Sequence, residues 1–448
     1  MAGGNWTAQN KVRPGIYINF TSRGSAGLTP GSRGTLAACK ALSWGPVGKL
    51  MTISAGEKLT PYTGYEITAP QSRFLREAFK GTDVTGGPTK ILLYRPEAAG
   101  AAAASATLGE GSVTVTALYP GVRGNDISLT VAESVDEAGT FTVATYVDGV
   151  QVDGQTVKTA VELVPNAWVA FSGTGTLAAM AGITLTGGTD GTVSDSAYAA
   201  FLEALEPYSF DVVVYDGTTT AVRDALIAFV KRISSQDGRY AQLAVTGAKN
   251  ADSRFVINCV SGAVLDDGTV LTPQEAVWWV AGAEAGAQYH EALSYARYPG
   301  AVDVSPRLTG SQIEEAILSG DLVLAEEFGR VRIETDINTL TSFTPDIGEA
   351  FRKNRTMRVC NTLANDIYRE IFLNFLGKVN NDETGRGLLQ AAILRYLLEM
   401  YAHGALRQRP VGEDVEVLMG NASDSVVINL ALWLADSVEK IYMTITVM

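Results

Sequence analysis

The chain has 448 residues, of which 46% are hydrophobic and 19% are charged, and its formal net charge is −13 at pH 7. This length predicts two to four folded domains. The acidic balance argues against nucleic acid or an anionic membrane surface as the main partner, because both require a basic face. The isolated cysteines Cys39, Cys259 and Cys360 predict buried reduced thiols and synthesis in the cytosol. Neither a signal peptide nor a membrane-spanning stretch is predicted.

Residues 1–21 are predicted to form an extended N-terminal arm. Ile16, Ile18 and Phe20 alternate with other residues, so they would share one face of a short strand. Residues 22–97 are predicted to form the first part of the core.

Two glycine-rich stretches invite a nucleotide-binding interpretation, and neither meets its requirements. Lys49 follows Gly48 as in a phosphate loop, but the spacing is wrong and Leu50 stands where Ser or Thr should bind magnesium. The stretch 173–178 matches a dinucleotide pattern loosely, but its surroundings are β-rich and no acidic residue follows at the ribose distance. We interpret both as structural turns and expect no cofactor.

An inserted all-β domain, a small sandwich or barrel, is predicted over residues 98–190. The composition shifts to Ala and Gly at 98–106, which indicates a boundary. Strand patterns then repeat with turns between them, as in such folds. The pair Asp148-Gly149 lies between two alternating runs and predicts a tight hairpin.

Residues 191–344 are predicted to form an α/β domain. The stretch 210–215 is typical of a buried parallel strand, and Thr272-Pro-Gln-Glu275 is a capping box that begins a helix. The chain has two histidines, His290 and His403, and no GxSxG motif accompanies them. We therefore predict structural histidines and no catalytic residue. No HExxH motif or EF-hand loop is present, so no metal site is predicted.

Residues 345–435 are predicted to form a C-terminal domain that begins with a long helix over 347–376. The first half of this helix is basic in an otherwise acidic chain. Its basic residues are Arg352, Lys353, Arg355 and Arg358. Two interpretations stay open: a solvated face paired with nearby Asp346 and Glu349, or a docking surface for an acidic partner.

Residues 436–448 are predicted to form a terminal strand, because apolar residues alternate from position 441 onward. The stretch is rich in β-branched residues and contains no Gly or Pro. An unpaired strand of this kind is an aggregation hazard. It is therefore either an inner strand of its own domain or a strand given to another subunit.

Six short segments in a fixed order along the chain carry a family resemblance. They are Pro14-Gly-Ile-Tyr-Ile, Trp44-Gly-Pro46, Gly121-Val-Arg-Gly-Asn-Asp126, Ile337-Asn-Thr-Leu-Thr341, Gly377-Lys-Val-Asn-Asn381 and Asp436-Ser-Val-Glu-Lys-Ile-Tyr-Met. With these segments the chain resembles the tail sheath proteins of contractile bacteriophage tails and phage-derived particles, in the version found in Gram-positive hosts.

The resemblance implies a multidomain α+β and α/β fold with extended strand arms at both ends. Its α/β domain would be similar to a subtilisin-type fold without catalytic residues. The β insert would lie on the outer surface, and the C-terminal domain would lie next to an inner tube. The arm residues expected to join neighbouring subunits are Ile16, Tyr17, Ile18, Phe20, Ile441, Tyr442, Met443, Ile445 and Val447. The four basic residues Arg352, Lys353, Arg355 and Arg358 are our hypothesis for the tube contact.

The implied function is structural rather than enzymatic. Copies of the chain would polymerise as a helical array around the inner tail tube, and a trigger from the baseplate would make the array contract and drive the tube through the host envelope. The expected partners are further copies of the chain, the tube protein, the baseplate and the tail terminator, with no nucleic acid and no direct membrane insertion. Assembly is expected in the host bacterial cytoplasm, and the product would be part of the virion tail. Two alternatives stay open: a non-contractile virion or surface structural protein, and a degenerate α/β hydrolase-like enzyme.

Overall fold

A computed structural model describes residues 3–4, 16–17, 33–108, 113–134 and 137–447 of the chain. At the N-terminal end, two short parallel strands pair, β1 (Gly3–Gly4) and β2 (Ile16–Tyr17). The first part of the core follows. Its elements are β3 (Thr35–Cys39), β4 (Leu50–Ser54), α1 (Thr60–Thr63), α2 (Arg73–Phe79) and β5 (Lys90–Tyr94).

The inserted region forms two antiparallel sheets that pack face to face. Its strands are β6 (Ser105–Leu108), β7 (Val113–Ala117), β8 (Ile127–Glu133), β9 (Phe141–Val147), β10 (Val150–Val157), β11 (Val169–Gly173) and β12 (Met180–Thr184). The sheet orders are β10-β9-β8-β12 and β11-β7-β6. The predicted hairpin is confirmed, because Asp148 and Gly149 join β9 to β10 with φ of 52° and 76°. Asp and Gly tolerate this left-handed backbone.

The α/β region completes a central seven-stranded sheet. Its elements are α3 (Ser196–Leu205), β13 (Val212–Tyr215), α4 (Thr220–Ser235), β14 (Gln242–Val245), β15 (Val256–Cys259), β16 (Gly262–Leu265), β17 (Val270–Leu271), α5 (Pro273–Gly286), β18 (Ala301–Ser305), α6 (Gly310–Leu318), β19 (Asp321–Leu322), β20 (Leu324–Glu327) and β21 (Arg330–Ile333). The strand order is β19-β15-β14-β13-β3-β5-β4, and every neighbouring pair is parallel except β4 with β5. The predicted capping box begins α5. This helix packs in the interior, with Trp278 and Trp279 buried.

The C-terminal region has two helices and one hairpin. They are α7 (Asn354–Glu370), α8 (Glu383–Ala402), β22 (Val415–Met419) and β23 (Val426–Leu430), and a π-helical turn, Ile371–Phe375, extends α7. The helix predicted from residue 347 begins only at Asn354. The residues before Asn354 pair instead with residues 336–338, the interdomain segment that joins the α/β region to the C-terminal region. The backbone N–H of Asn338 donates to the carbonyl of Arg352, and that of Asn354 donates to the carbonyl of Asp336. None of the helices in the described ranges is long and apolar enough to cross a membrane.

Candidate inter-subunit interface

The end of the C-terminal arm is exposed and unpaired in the single chain. Its large apolar side chains, Ile441, Tyr442, Met443, Ile445 and Val447, are 77–91% exposed. Residues 441–447 form no strand and no hydrogen bond to another described residue. Burying a large apolar side chain is worth about 1.5–3 kcal/mol. The terminal segment is therefore not an inner strand of its own domain, and its burial on another chain would be favourable.

The root of this arm, residues 436–439, is held on the body of the subunit. The Lys353 Nζ lies 2.5 Å from the Asp436 Oδ2 and 3.0 Å from the Glu439 Oε2. Ser294 donates a hydrogen bond of 2.8 Å to the other oxygen of Glu439. Burial lowers the pKa of Lys353, but its hydrogen bonds to the two carboxylates outweigh burial and raise the pKa above its ordinary value. The arm therefore has a fixed root and a free end.

Replacing Lys353 with methionine is expected to release the arm root while the subunit stays folded. The ion pairs are partly exposed, so the free energy of unfolding should fall by no more than about 1 kcal/mol. Amide hydrogen exchange over residues 436–439 should become faster, which mass spectrometry can measure. Lys440→Met is the matched control, because Lys440 is exposed. Equal exchange in both variants and the wild type would contradict a root held by Lys353.

The C-terminal hairpin offers a place where a further strand can pair. One face of β22 and β23 packs against α8 through residues such as Val417 and Ile428. On the other face, Leu418 lies opposite Val427, and both are more than 40% exposed. Among the described residues the sheet has only these two strands, so each has an outer edge. Backbone groups along such edges can pair with an extended segment of another chain.

The N-terminal arm is described only in part. Ile16 and Tyr17 lie in β2, as the sequence predicts for a short strand. Ile18 and Phe20, which the same prediction includes, lie outside the described residues. The exchange of this arm with a neighbour stays a prediction.

The basic stretch at the start of α7 is a junction within the subunit rather than a free surface. Arg358 is fully buried, and its guanidinium lies 2.5 Å from the Glu284 Oε2 and 2.7 Å from the Asp336 Oδ2. The prediction that Arg358 contacts a tube is therefore wrong. The sequence could not show this, because the two carboxylates that pair with Arg358 are 74 and 22 residues away.

The other basic residues of this stretch are half-buried and also have partners within the chain. Arg352 donates to the carbonyl of Ile317. Arg355 donates to the carbonyls of His290 and Gly404, and so links the α/β region to the end of α8. A tube contact through Arg352, Lys353 and Arg355 stays a prediction.

The two histidines of the chain meet at the same junction. The rings of His290 and His403 stack with centroids 5.9 Å apart. Tyr289 Oη and His403 Nδ1 share a hydrogen bond of 2.8 Å. Burial lowers the pKa of His290, His403 and Arg355 lower it further, and Glu291 opposes them. No local sequence pattern indicates this pairing, because only tertiary contact brings the two histidines together.

Acid is expected to destabilise this junction through His290. Because the folded state lowers the pKa of His290, the unfolded chain takes up the proton first as the pH falls below about 6.5. Stability is therefore retained above that pH and lost as the pH falls towards the folded-state pKa. His290→Gln should reduce the fall in thermal midpoint between pH 7.5 and 5.5. Midpoints that fall equally in variant and wild type would contradict the prediction.

In the part of the chain that the structure describes, the cysteines and carboxylates give no sign of a reactive or metal site. Cys39 and Cys259 are buried as predicted, whereas Cys360 is only partly buried, which corrects the prediction of three buried thiols. Burial raises the pKa of Cys259 to about 12 and that of Cys360 to about 11, so both stay protonated thiols at neutral pH. Among the described residues, no group of three or more His, Cys, Asp or Glu side chains could hold a metal ion.

An exposed terminal arm with a fixed root, beside a hairpin with open edges, is typical of structural subunits that assemble by exchanging segments. Comparison with known proteins identifies the family. Successive parts of the chain match the Gp18 tail sheath domain III N-terminal region (33–95), the phage tail sheath beta-sandwich domain (97–190), the phage tail sheath central domain (191–339) and the phage tail sheath C-terminal domain (346–448). The chain belongs to the phage tail sheath family.

Individual relatives match this chain along almost its full length. The chain is similar to the phage-like element PBSX protein XkdK of Bacillus subtilis, with 35% identity over all of both chains. A sheath tail protein from Desulfitobacterium hafniense has a solved structure with 39% identity and a TM-score of 0.85, covering 96% of this chain and 99% of that one. The helical sheath of the anti-feeding prophage in its contracted state shares the fold, with 15% identity, a TM-score of 0.59 and coverage of 97% and 99%.

Family membership confirms the predicted structural role. The protein is a structural tail sheath protein rather than an enzyme, and its multidomain α/β architecture matches that of solved sheath proteins.

Proposed function

We propose that the chain is the subunit of a contractile sheath, in which each free C-terminal arm pairs with the hairpin β22–β23 of a neighbouring copy. The observation that carries this proposal is the contrast between the exposed segment 441–447 and its fixed root. The open edges of the hairpin support it, because an added strand would gain main-chain hydrogen bonds there. Heterologous contacts of this kind extend into a helical array when their rotation does not close.

Pairing of the C-terminal arm with a neighbouring copy is compatible with contraction of the sheath. Main-chain pairing between an arm and its neighbour can persist while the bodies rotate, provided that the chain between them bends. The extended array would be held kinetically, and the contracted array would have the lower free energy. The shared fold with a sheath solved in a contracted state supports this part of the proposal.

We also propose that the α/β region has a subtilisin-like fold without catalytic residues. Ligand sites of parallel sheets lie at the carboxyl ends of the strands where the strand order reverses. Here Lys40 follows β3 and pairs with Asp216, which follows β13, and the indole of Trp278 donates to the same carboxylate. No described histidine lines this crevice. A structural ion pair therefore occupies the place where an enzyme of this fold class would hold its reactive groups.

The further partners proposed are the inner tail tube, the baseplate and the tail terminator, and the proposed place of assembly is the host cytoplasm. Electron microscopy of the purified chain, with and without the tube protein of the same particle, tests the function. Hollow striated tubes are expected. A stable monomer that forms no tubes under either condition, or that turns over a substrate, would refute the proposal.

A further inference from the structure

One hairpin of the α/β region places an aromatic side chain where folding gains nothing from it. Phe328 and Gly329 join β20 to β21 with φ of 54° and 73°. Two-residue turns of this kind favour Asn, Asp or Gly at the first position, as in the Asp148 turn of the insert, because a bulky residue with positive φ is strained. Phe328 is nevertheless 93% exposed. A bulky residue held with a strained backbone at an exposed turn supports the inference of a contact made outside the single chain.

A groove at the amino ends of the parallel strands of the central sheet has the size and the lining to receive the Phe328 side chain of another copy. The groove has a volume of about 630 Å³ and lies between the amino ends of β3, β5, β13 and β14 and the last turns of α7. Its aromatic wall includes Tyr208, Tyr368 and Phe372, which are 46–59% exposed. This volume is ample for one aromatic side chain.

The charges of the two elements are complementary. Four basic and two acidic side chains line the groove, although the chain as a whole has a net charge of −13. The hairpin tip 326–330 carries two glutamates and one arginine. Complementary charge of this kind favours docking in one orientation.

The two elements adjoin opposite ends of the parallel strands of the central sheet. The hairpin follows β19 directly and so begins at the carboxyl edge of the parallel sheet, whereas the groove lies at the amino edge. A head-to-tail arrangement of two copies brings the carboxyl edge of one to the amino edge of the next, which is a heterologous contact suited to an open array.

We propose that Phe328 of one copy inserts into the groove beside Phe372 of the next copy in the assembled sheath. This body-to-body contact is separate from the terminal arms, and it rests on the proposed polymerisation of the chain. Its role is to set the register between successive bodies, while the arms keep them linked.

Substitution tests the contact without damaging the fold. Phe328→Asn is compatible with the turn and removes no packing, so the thermal midpoint of the monomer should be unchanged or higher while tube formation is lost. Phe372→Ser should have the same effect on tubes. Val161→Asn is the matched control, because Val161 is 70% exposed in the insert and tubes should form normally. Loss of tubes in Phe372→Ser alone would mean that another partner fills the groove, which would overturn the proposal.

Cross-linking tests the geometry directly. In a Cys360→Ser background, subunits carrying only Phe328→Cys and subunits carrying only Phe372→Cys are assembled together with an excess of subunits that keep both aromatic residues, and the tubes are treated with a short bismaleimide. A covalent dimer is expected in the mixture and in neither population alone. Tubes that form equally in the wild type and Phe328→Asn, without this dimer, would refute the hairpin contact and leave the sheath function standing. A wild-type chain that forms no tubes would refute both.

Discussion

Replacing Arg358 with alanine is expected to lower the free energy of unfolding by about 3–5 kcal/mol, the largest effect of any single substitution considered. Arg358 is fully buried between Glu284 of α5 and Asp336 of the interdomain segment. Burial and the nearby Asp336 raise the pKa of Glu284 well above its ordinary value, although Arg358 opposes them. Without the guanidinium, buried carboxylates would lose their compensating charge, and the contact between α7 and the central region would weaken.

Urea unfolding followed by circular dichroism measures this loss. Arg355→Ala is the matched control, because Arg355 is half-buried and donates only to backbone carbonyls, so a loss of about 1 kcal/mol is expected. The same comparison tests the docking-surface interpretation of this stretch, which requires that Arg358 is not needed for folding. If Arg358→Ala were as stable as the wild type, the buried network would not be needed and a surface role for the stretch would regain support.

Deleting residues 440–448 is expected to abolish polymerisation and leave a folded monomer. The large side chains of 441–447 are at least 77% exposed, so their removal takes away almost no packing within the subunit. The change in the free energy of unfolding should stay within about 0.5 kcal/mol, as for other surface changes. The loss of assembly should be complete, because each deleted arm removes both the pairing strand and the apolar side chains offered to a neighbour.

Size-exclusion chromatography with light scattering, together with electron microscopy, measures both outcomes on one sample. Tyr442→Ser serves as a control of intermediate strength, since it keeps the backbone available for pairing and removes one side chain that is 91% exposed. Global unfolding of the deletion variant would show that the terminal segment stabilises its own domain. Tubes of normal length would show that the arm is dispensable for assembly.

Local patterns predicted the features that depend on neighbouring residues. The capping box at Thr272 begins α5, and Asp148-Gly149 forms its hairpin, because both signals act within four residues. The helix predicted over 347–376 begins late because its first residues pair with positions 336–338, which no local pattern reveals. Arg358 is the clearest failure, since a basic stretch next to acidic residues gives no information about burial.

The sequence by itself determined the alternating terminal segment, the mixed α/β and all-β composition and, through six ordered segments, the family. Hydrophobic periodicity and short motifs carry that information along the chain. Only the tertiary structure decided that the arm is fixed at its root by Lys353 and free from residue 441, and that the two histidines stack at a domain junction. It also decided that the hairpin of Phe328 begins at one end of the parallel strands of the central sheet and that the groove near Phe372 lies at the other end. These features join residues far apart in the chain, so their physical cause is the folded arrangement rather than any local pattern.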